Sequence, residues 1–197
     1  MRILFMAAAL AAALANPLAA ASLPQSGRLD FDVIRKGKDI GDYGYRFSGT
    51  DKAFLVQVST KVVVKIPIVH ITAYSFNQSS TETWKNGKLA GLKSSTNDDG
   101  TPHELNTGTS PLLPASLWDM DIVHAKKLLN TIDGSVMAVK TADLGSESVP
   151  VSGGKITAHH YRISGDLNRD VWYDAHGNLA RVVFKGDDGS TVTYKRK

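Results

Sequence analysis

A two-residue period limits the fold of this chain more than any other feature. Leu29, Phe31 and Val33 alternate with Asp30 and Asp32. Tyr43, Tyr45 and Phe47 share one face of the next segment, and Phe54, Val56 and Val58 alternate with Leu55, Gln57 and Ser59. Successive side chains of a strand point to opposite faces of a sheet, so these segments read as strands with one buried face. Turn signals separate them at 37–41 and 49–51. The strongest is Lys85-Asn86-Gly87-Lys88, because Asn-Gly fits the type I′ turn of a tight hairpin. Further turns at 97–100, 175–178 and 187–190 frame strands over 89–96, 135–144, 156–164, 169–174, 179–185 and 191–194. Short strands between Gly, Asp and Asn turns predict a mainly β fold, as a sandwich or an open barrel.

Two stretches break the pattern. Over 61–76, Val62-Val63-Val64 and Ile66-Pro67-Ile68-Val69 are apolar on both faces, which calls for cover on both sides. Pro67 cannot donate to a ladder and marks a bend, a bulge or an edge. Residues 101–115 contain Pro102, Gly108, Pro111 and Pro114 and read as an irregular, mobile loop. Ser116-Leu117-Trp118-Asp119 resembles a capping box with Asp in place of Glu, and opens the one expected helical stretch, to about Asn130. Leu117, Met120, His124, Lys127 and Leu128 make no clean apolar stripe, so that helix is expected to be short or broken.

The N-terminus predicts a compartment. Arg2 precedes an uninterrupted apolar run over 3–15, which Asn16 and Pro17 break before Ala19-Ala20-Ala21. This is the layout of a cleavable secretory signal, with cleavage expected after Ala21 or, second, after Ala15. The run is shorter than the ~20 apolar residues that span a bilayer. Residues 1–21 are therefore read as a signal peptide and 22–197 as a single β-rich domain, periplasmic and without a transmembrane segment. The chain has no cysteine, which excludes disulfides, thiolate metal sites and a lipidation cysteine. A core must hold the domain unaided, and its length suffices for one.

Charge excludes one partner class. The formal net charge is +4, or +3 without Arg2, and Lys195-Arg196-Lys197 is the single dense basic cluster. It is too small for a nucleic-acid surface and reads as a solvated tail, with weak attraction to anionic headgroups as the other reading.

Motifs for chemistry are lacking. No glycine turn opens a helix after a strand in a phosphate-binding pattern, so no nucleotide cofactor is expected. Asn97-Asp98-Asp99-Gly100 and Asp187-Asp188-Gly189 lack the alternating ligands and distal Glu of a calcium loop, and read as turns. Of six histidines only His159 and His160 are adjacent, and on a strand they point to opposite faces, so no metal is expected. No Gly-x-Ser-x-Gly elbow occurs and no catalytic residue is assigned.

The aromatic residues carry the functional reading. Tyr45, Phe47, Phe54, Tyr74, Phe76, Trp84, Trp118 and Trp172 are spread over most of the predicted strands. They either pack as an ordinary core or line a cavity left by a sheet that does not close.

A resemblance adds to this. Ile40-Gly41 followed by Tyr43–Phe47, Ile71-Thr72-Ala73-Tyr74, and Glu82-Thr83-Trp84-Lys85-Asn86-Gly87-Lys88-Leu89 occur in order. Leu117-Trp118, Leu128-Leu129-Asn130, Tyr161-Arg162-Ile163-Ser164-Gly165 and Val171-Trp172-Tyr173-Asp174 follow. The sequence resembles a periplasmic domain-of-unknown-function family (DUF6134-like), itself similar to the lipoprotein-carrier fold. That resemblance implies a strongly curved antiparallel sheet, an open half-barrel with a short helical and loop cover. It implies an envelope role with a lipid or other apolar ligand, and no catalytic residues can be carried over from it. Three readings compete: a non-catalytic binder of an apolar ligand, an envelope interaction domain with a filled core, and a hydrolase built on His159 or His160.

Overall fold

The computed structural model describes residues 23–65 and 72–197. Six strands come first: β1 (Arg28–Arg35), β2 (Lys38–Thr50), β3 (Ala53–Lys65), β4 (Thr72–Lys85), β5 (Lys88–Asp98) and β6 (Thr101–Thr107). A connecting segment follows, with the short β7 (Leu113–Pro114) and β8 (Lys127–Leu129) flanking a single 3-10 turn at Met120–His124. Five more strands complete the chain: β9 (Val136–Val151), β10 (Gly154–Gly165), β11 (Arg169–Asp174), β12 (Leu179–Lys185) and β13 (Thr191–Arg196).

The topology consists of two meanders joined at their ends. Strand order is β6-β5-β4-β3-β2-β1-β13-β12-β11-β10-β9-β8-β7. First and last strands pair antiparallel, Phe31 with Arg196 and Val33 with Tyr194, so both termini of the domain lie mid-sheet. All neighbours are antiparallel except β7 and β8. The ends, β6 and β7, do not pair with each other, so the sheet is curved and open. Register shifts at Val33/Ile34, Val64/Lys65, Thr83/Trp84, His160/Tyr161 and Trp172/Tyr173 bend it.

The alternation read from the sequence holds on the strands that carry it. Leu29, Phe31, Val33, Tyr43, Tyr45, Phe54, Val56 and Val58 are all buried in one cluster on the concave face. Leu117, Trp118, Ile122, Val123, Leu128 and Leu129, from the connecting segment, belong to the same cluster and fill the concavity. A small second cluster, Val149, Ala158, Trp172 and Ala180, lies on the other face. There the β9–β10 hairpin reaches back, and Ser152 N donates to the Arg196 carbonyl at 2.9 Å.

Several expectations are corrected. Residues 101–107 form edge strand β6 rather than loop, and Pro102 is tolerated near its start because an edge strand leaves one row of backbone groups unpaired. No helix runs from Ser116 to Asn130. Leu117 has φ +69, a left-handed conformation that no right-handed helix contains. The cap is Asp119, whose side chain accepts from Asp121 N, and the turn it opens ends at His124. The 61–65 stretch keeps one-sided alternation through Val62, with Val63 and Val64 half-buried and Lys65 exposed. Pro67 and the rest of 66–71, like the signal peptide, lie outside the described residues.

Two glycines permit close strand crossings. A Cβ on Gly41 (φ +152) would lie 1.9 Å from the Lys61 carbonyl oxygen, and one on Gly165 (φ +114) 2.4 Å from that of Ala138. Gly41→Ala must therefore push β2 from β3 and is expected to cost at least about 2 kcal/mol. A Cβ on Gly189 meets nothing within 4 Å. Gly189→Ala, at φ +73, should cost only the left-handed backbone penalty of roughly 1 kcal/mol. Thermal unfolding followed by circular dichroism checks the order; equal midpoints would contradict the crossing argument.

Candidate functional site

Five of the eight aromatic candidates converge on one place. Strand alternation aims Tyr45 and Phe47 from β2, Phe54 from β3 and Trp84 from β4 into the concave face. Phe54 and Trp84 stack, with ring centroids 5.8 Å apart and planes 5° from parallel. Trp118 enters from the connecting segment and meets Phe47 at 5.4 Å, Phe54 at 5.9 Å and Trp84 at 5.4 Å, edge-on in each case. Edge-to-face contact places the positive ring edge on the negative face of its neighbour. Tyr45 continues the set, 6.1 Å from Phe47.

The other three candidates make no contact within this group of rings. Phe76 is half-buried on the same face and packs against the same cluster. Tyr74 is 36 % exposed, and its hydroxyl donates to Asp98 Oδ1 at 2.9 Å. Trp172 belongs to the second cluster on the opposite face. Its neighbour Tyr173, which the adjacent-residue rule puts on the concave side, takes the interior position instead.

Polar groups beneath the slot hold Trp118 in place. The Glu82 side chain is fully buried, two residues from Trp84 and on the same face. Its Oε2 accepts from Trp84 Nε1 at 2.9 Å and from Trp118 Nε1 at 2.8 Å. Its Oε1 has no partner with hydrogen-bond geometry. Burial pushes the carboxyl's pKa up, opposed by the Ser116 side chain and the two indoles, which favour the charged form.

Three tyrosines hold the backbone on either side. The Tyr43 hydroxyl donates to the Ser116 carbonyl at 2.9 Å, and the Tyr45 hydroxyl reaches the same oxygen. The two hydroxyls are 2.7 Å apart. Tyr173 donates to the Leu117 carbonyl at 2.9 Å. Burial raises the pKa of all three phenols, so they remain hydrogen-bond donors. Asp119, next along, is buried and its carboxyl is pushed up to about 6, chiefly by desolvation and against the pull of the Asp121 N–H.

Glu82 and Asp119 were not among the sequence candidates. The signal for Glu82 was present: the period that buries Trp84 also buries the residue two before it. An open surface depression of about 520 Å³ lies along the connecting segment between Pro111–Leu113 and His124–Lys127.

The histidines divide as the adjacent-residue rule requires. His159 Nε2 is 2.5 Å from Asp143 Oδ1 and its Nδ1 is 3.2 Å from Ser146 Oγ. A hydroxyl, an imidazole and a carboxylate do meet here. They sit on an exposed stretch of the β9–β10 ladder, and the Gly145 N–H beside them is committed to Asp143 Oδ1 at 2.8 Å. His160 faces the other way, stacked on Trp172 at 4.0 Å and 2.8 Å from Asp170 Oδ1. Among the described residues no three His, Asp or Glu side chains are grouped to hold a metal, and no helix is long and apolar enough to cross a membrane.

An open antiparallel sheet curved around an aromatic slot defines a barrel-like class of domain. Residues 31–197 match the family described as domain of unknown function DUF6134, and the chain belongs to that family. The fold is similar to that of a solved structure from Brucella abortus, described as a beta-barrel-like protein of domain of unknown function DUF1849. The match has a TM-score of 0.51 and 12 % identity, over 86 % of this chain and 96 % of that one. No curated protein matches the sequence.

The buried carboxyls make two predictions. Asp119 holds its proton more tightly folded, at about 6, than at its ordinary 3.8. That contribution is full below the ordinary value and is lost as pH rises through about 6. Asp119→Asn keeps the oxygen that accepts from Asp121 N. The stability of the native protein relative to this variant should fall by about 2 kcal/mol between pH 4 and pH 7. Urea denaturation across that range reads the difference, and a pH-independent difference would refute the burial argument. Glu82→Leu strands two buried indole donors and should cost about 2–4 kcal/mol in the same assay, with Glu82→Gln costing less because an acceptor remains.

Proposed function

We propose that this chain is an exported, non-catalytic domain of the periplasm that takes a lipid or other apolar ligand on its concave aromatic face. One observation carries the reading. The slot between Phe47, Phe54 and Trp84 is filled by a single side chain, Trp118, from a segment outside the long strands. That segment is tied down there by hydroxyl-to-carbonyl bonds and by one carboxylate. The hydroxyl-to-carbonyl bonds net about 1 kcal/mol each against water, and the bond to the carboxyl about 1–3 kcal/mol. An apolar guest of comparable area offsets the loss of Trp118 from the slot, since burial is worth roughly 25 cal/mol per Å². The apolar run over 3–15 behind Arg2, read as an export signal, supports the periplasmic placement.

A second reading has its own support. Leu117, Ile122, Val123 and Leu128 are buried in the same cluster, as in a completed core. On that reading the domain is an envelope interaction module that uses its surface, with an envelope protein as partner.

Native mass spectrometry and solvent extraction of protein purified from the periplasm separate the two. The first reading expects a co-purified lipid or acyl chain. It also expects binding of the apolar probe N-phenyl-1-naphthylamine, strengthened in Trp118→Ala, which vacates the slot. Protein that is ligand-free and ignores the probe in both forms leaves only the second reading. In-cell crosslinking is then expected to recover a protein partner.

A further inference from the structure

The concave face also carries a cation with no counter-ion among the described residues. Arg169 shares its face of β11 with Val171 and Tyr173, both of the main core cluster. It is half-buried, and its guanidinium carbon sits 3.9 Å from the centroid of the Phe184 ring. Among the described residues its guanidinium makes one hydrogen bond, from Nη1 to the carbonyl of the preceding residue, Asn168, at 2.8 Å. Among the described residues no carboxylate pairs with it. The polar groups that act on it are the Tyr194 and Tyr43 hydroxyls, and burial lowers its proton affinity.

Four arginines elsewhere on the sheet differ, whereas Arg181, on the opposite face over Trp172, likewise has no ion pair among the described residues. Arg35, Arg46, Arg162 and Arg196 pair with Asp188, Asp30, Asp170 and Asp174. A guanidinium drawn out of water without an anion is destabilising, and resting on an aromatic face recovers only part of that cost. Five N–H donors in a planar fork match a carboxylate or phosphate, and one of the five is used internally here.

Arg169 also stands at the end of a row of rings. From Phe184 the row passes to Tyr194 at 5.5 Å, Tyr43 at 4.7 Å, Tyr45 at 5.0 Å and Phe47 at 6.1 Å, and ends on Trp118 at 5.4 Å. It crosses β12, β13 and β2 and leads from the unpaired cation to the slot. We infer that Arg169 is the headgroup site for an amphiphile carrying one carboxylate or phosphate, whose apolar tail follows the ring row toward Trp118. The inference rests on the apolar-ligand reading and narrows it to an anionic lipid or fatty acid.

The test compares cis-parinaric acid with its methyl ester by fluorescence titration at mildly alkaline pH, in the native protein and in Arg169→Met. Arg169→Met is volume-conserving, and its fold is checked by circular dichroism. The native protein should bind the acid about tenfold more tightly than the ester, the scale of one charge-assisted hydrogen-bonded contact. Arg169→Met should bind both alike, at the affinity of the native protein for the ester. Inorganic phosphate should fail to displace the acid, which distinguishes an amphiphile from a free anion. Equal binding of acid and ester by the native protein, or a preference that survives in Arg169→Met, overturns the headgroup assignment and leaves the apolar site standing. Displacement by phosphate overturns the amphiphile in favour of a free anion. Binding of neither probe removes the apolar-ligand reading itself, and this inference with it.

Discussion

Irregular backbone can enter an apolar interior only where its carbonyls find donors. That constraint governs this domain. Two meanders are joined through β1 and β13, so the chain must travel from β6 at one side of the sheet to β9 at the other. The segment between them lies across the concave face, and its hydrophobic side chains complete the core. It brings the carbonyls of Ser116 and Leu117 into the interior. Tyr43, Tyr45 and Tyr173, from strands of both meanders, meet them. Without those hydroxyls the crossing would bury unsatisfied backbone, and the two halves of the sheet would share no common filling.

The same constraint explains the left-handed conformation of Leu117. A residue at φ +69 turns the chain sharply, so that Leu117 and Trp118 both bury their side chains while the neighbouring carbonyls face the tyrosines. A leucine resists this conformation by roughly 1–2 kcal/mol. It persists because the indole N–H of Trp118 ends on Glu82, which also takes the Trp84 donor. One carboxylate thus fixes the relation between the sheet and the segment that fills it.

Much of the sheet is legible in the sequence because a period of two is a local property. The strands around Phe31, Tyr45 and Val56 follow from alternation, and the β4–β5 hairpin from Asn86-Gly87. Other parts depend on what lies across the fold. Pro102 suggests a loop until β5 is seen to present an edge to which residues 101–107 can pair. Ser116 to Asp119 suggests a helix start until the tyrosines are seen to hold its carbonyls. Trp172 and Tyr173 must face opposite ways, but nothing local says which is interior. The sheet decides for Tyr173, because its hydroxyl reaches the Leu117 carbonyl, whereas Trp172 Nε1 donates outward to Glu147 Oε1 at 2.6 Å. The candidate site was legible as a set of aromatics and not as a place, since Trp118 joins the slot only through the crossing segment.

The interior polar residues are placed at different points along the aromatic row, and this gives the concave face a direction. Glu82 lies beneath the Trp118 slot with both of its bonds made to indoles of the slot. Arg169 stands at the far end, half-buried beside Phe184, with most of its donors uncommitted. An entirely apolar concavity would accept a tail in either orientation. A guanidinium at one end favours a negative head beside Arg169, whereas the carboxyl at the other, its pKa raised by burial and its bonds made to the indoles, offers an anion no donor. The residues that fix the crossing segment and the residue that it leaves unpaired therefore act on the same row of rings, and together they set which way an amphiphile would lie.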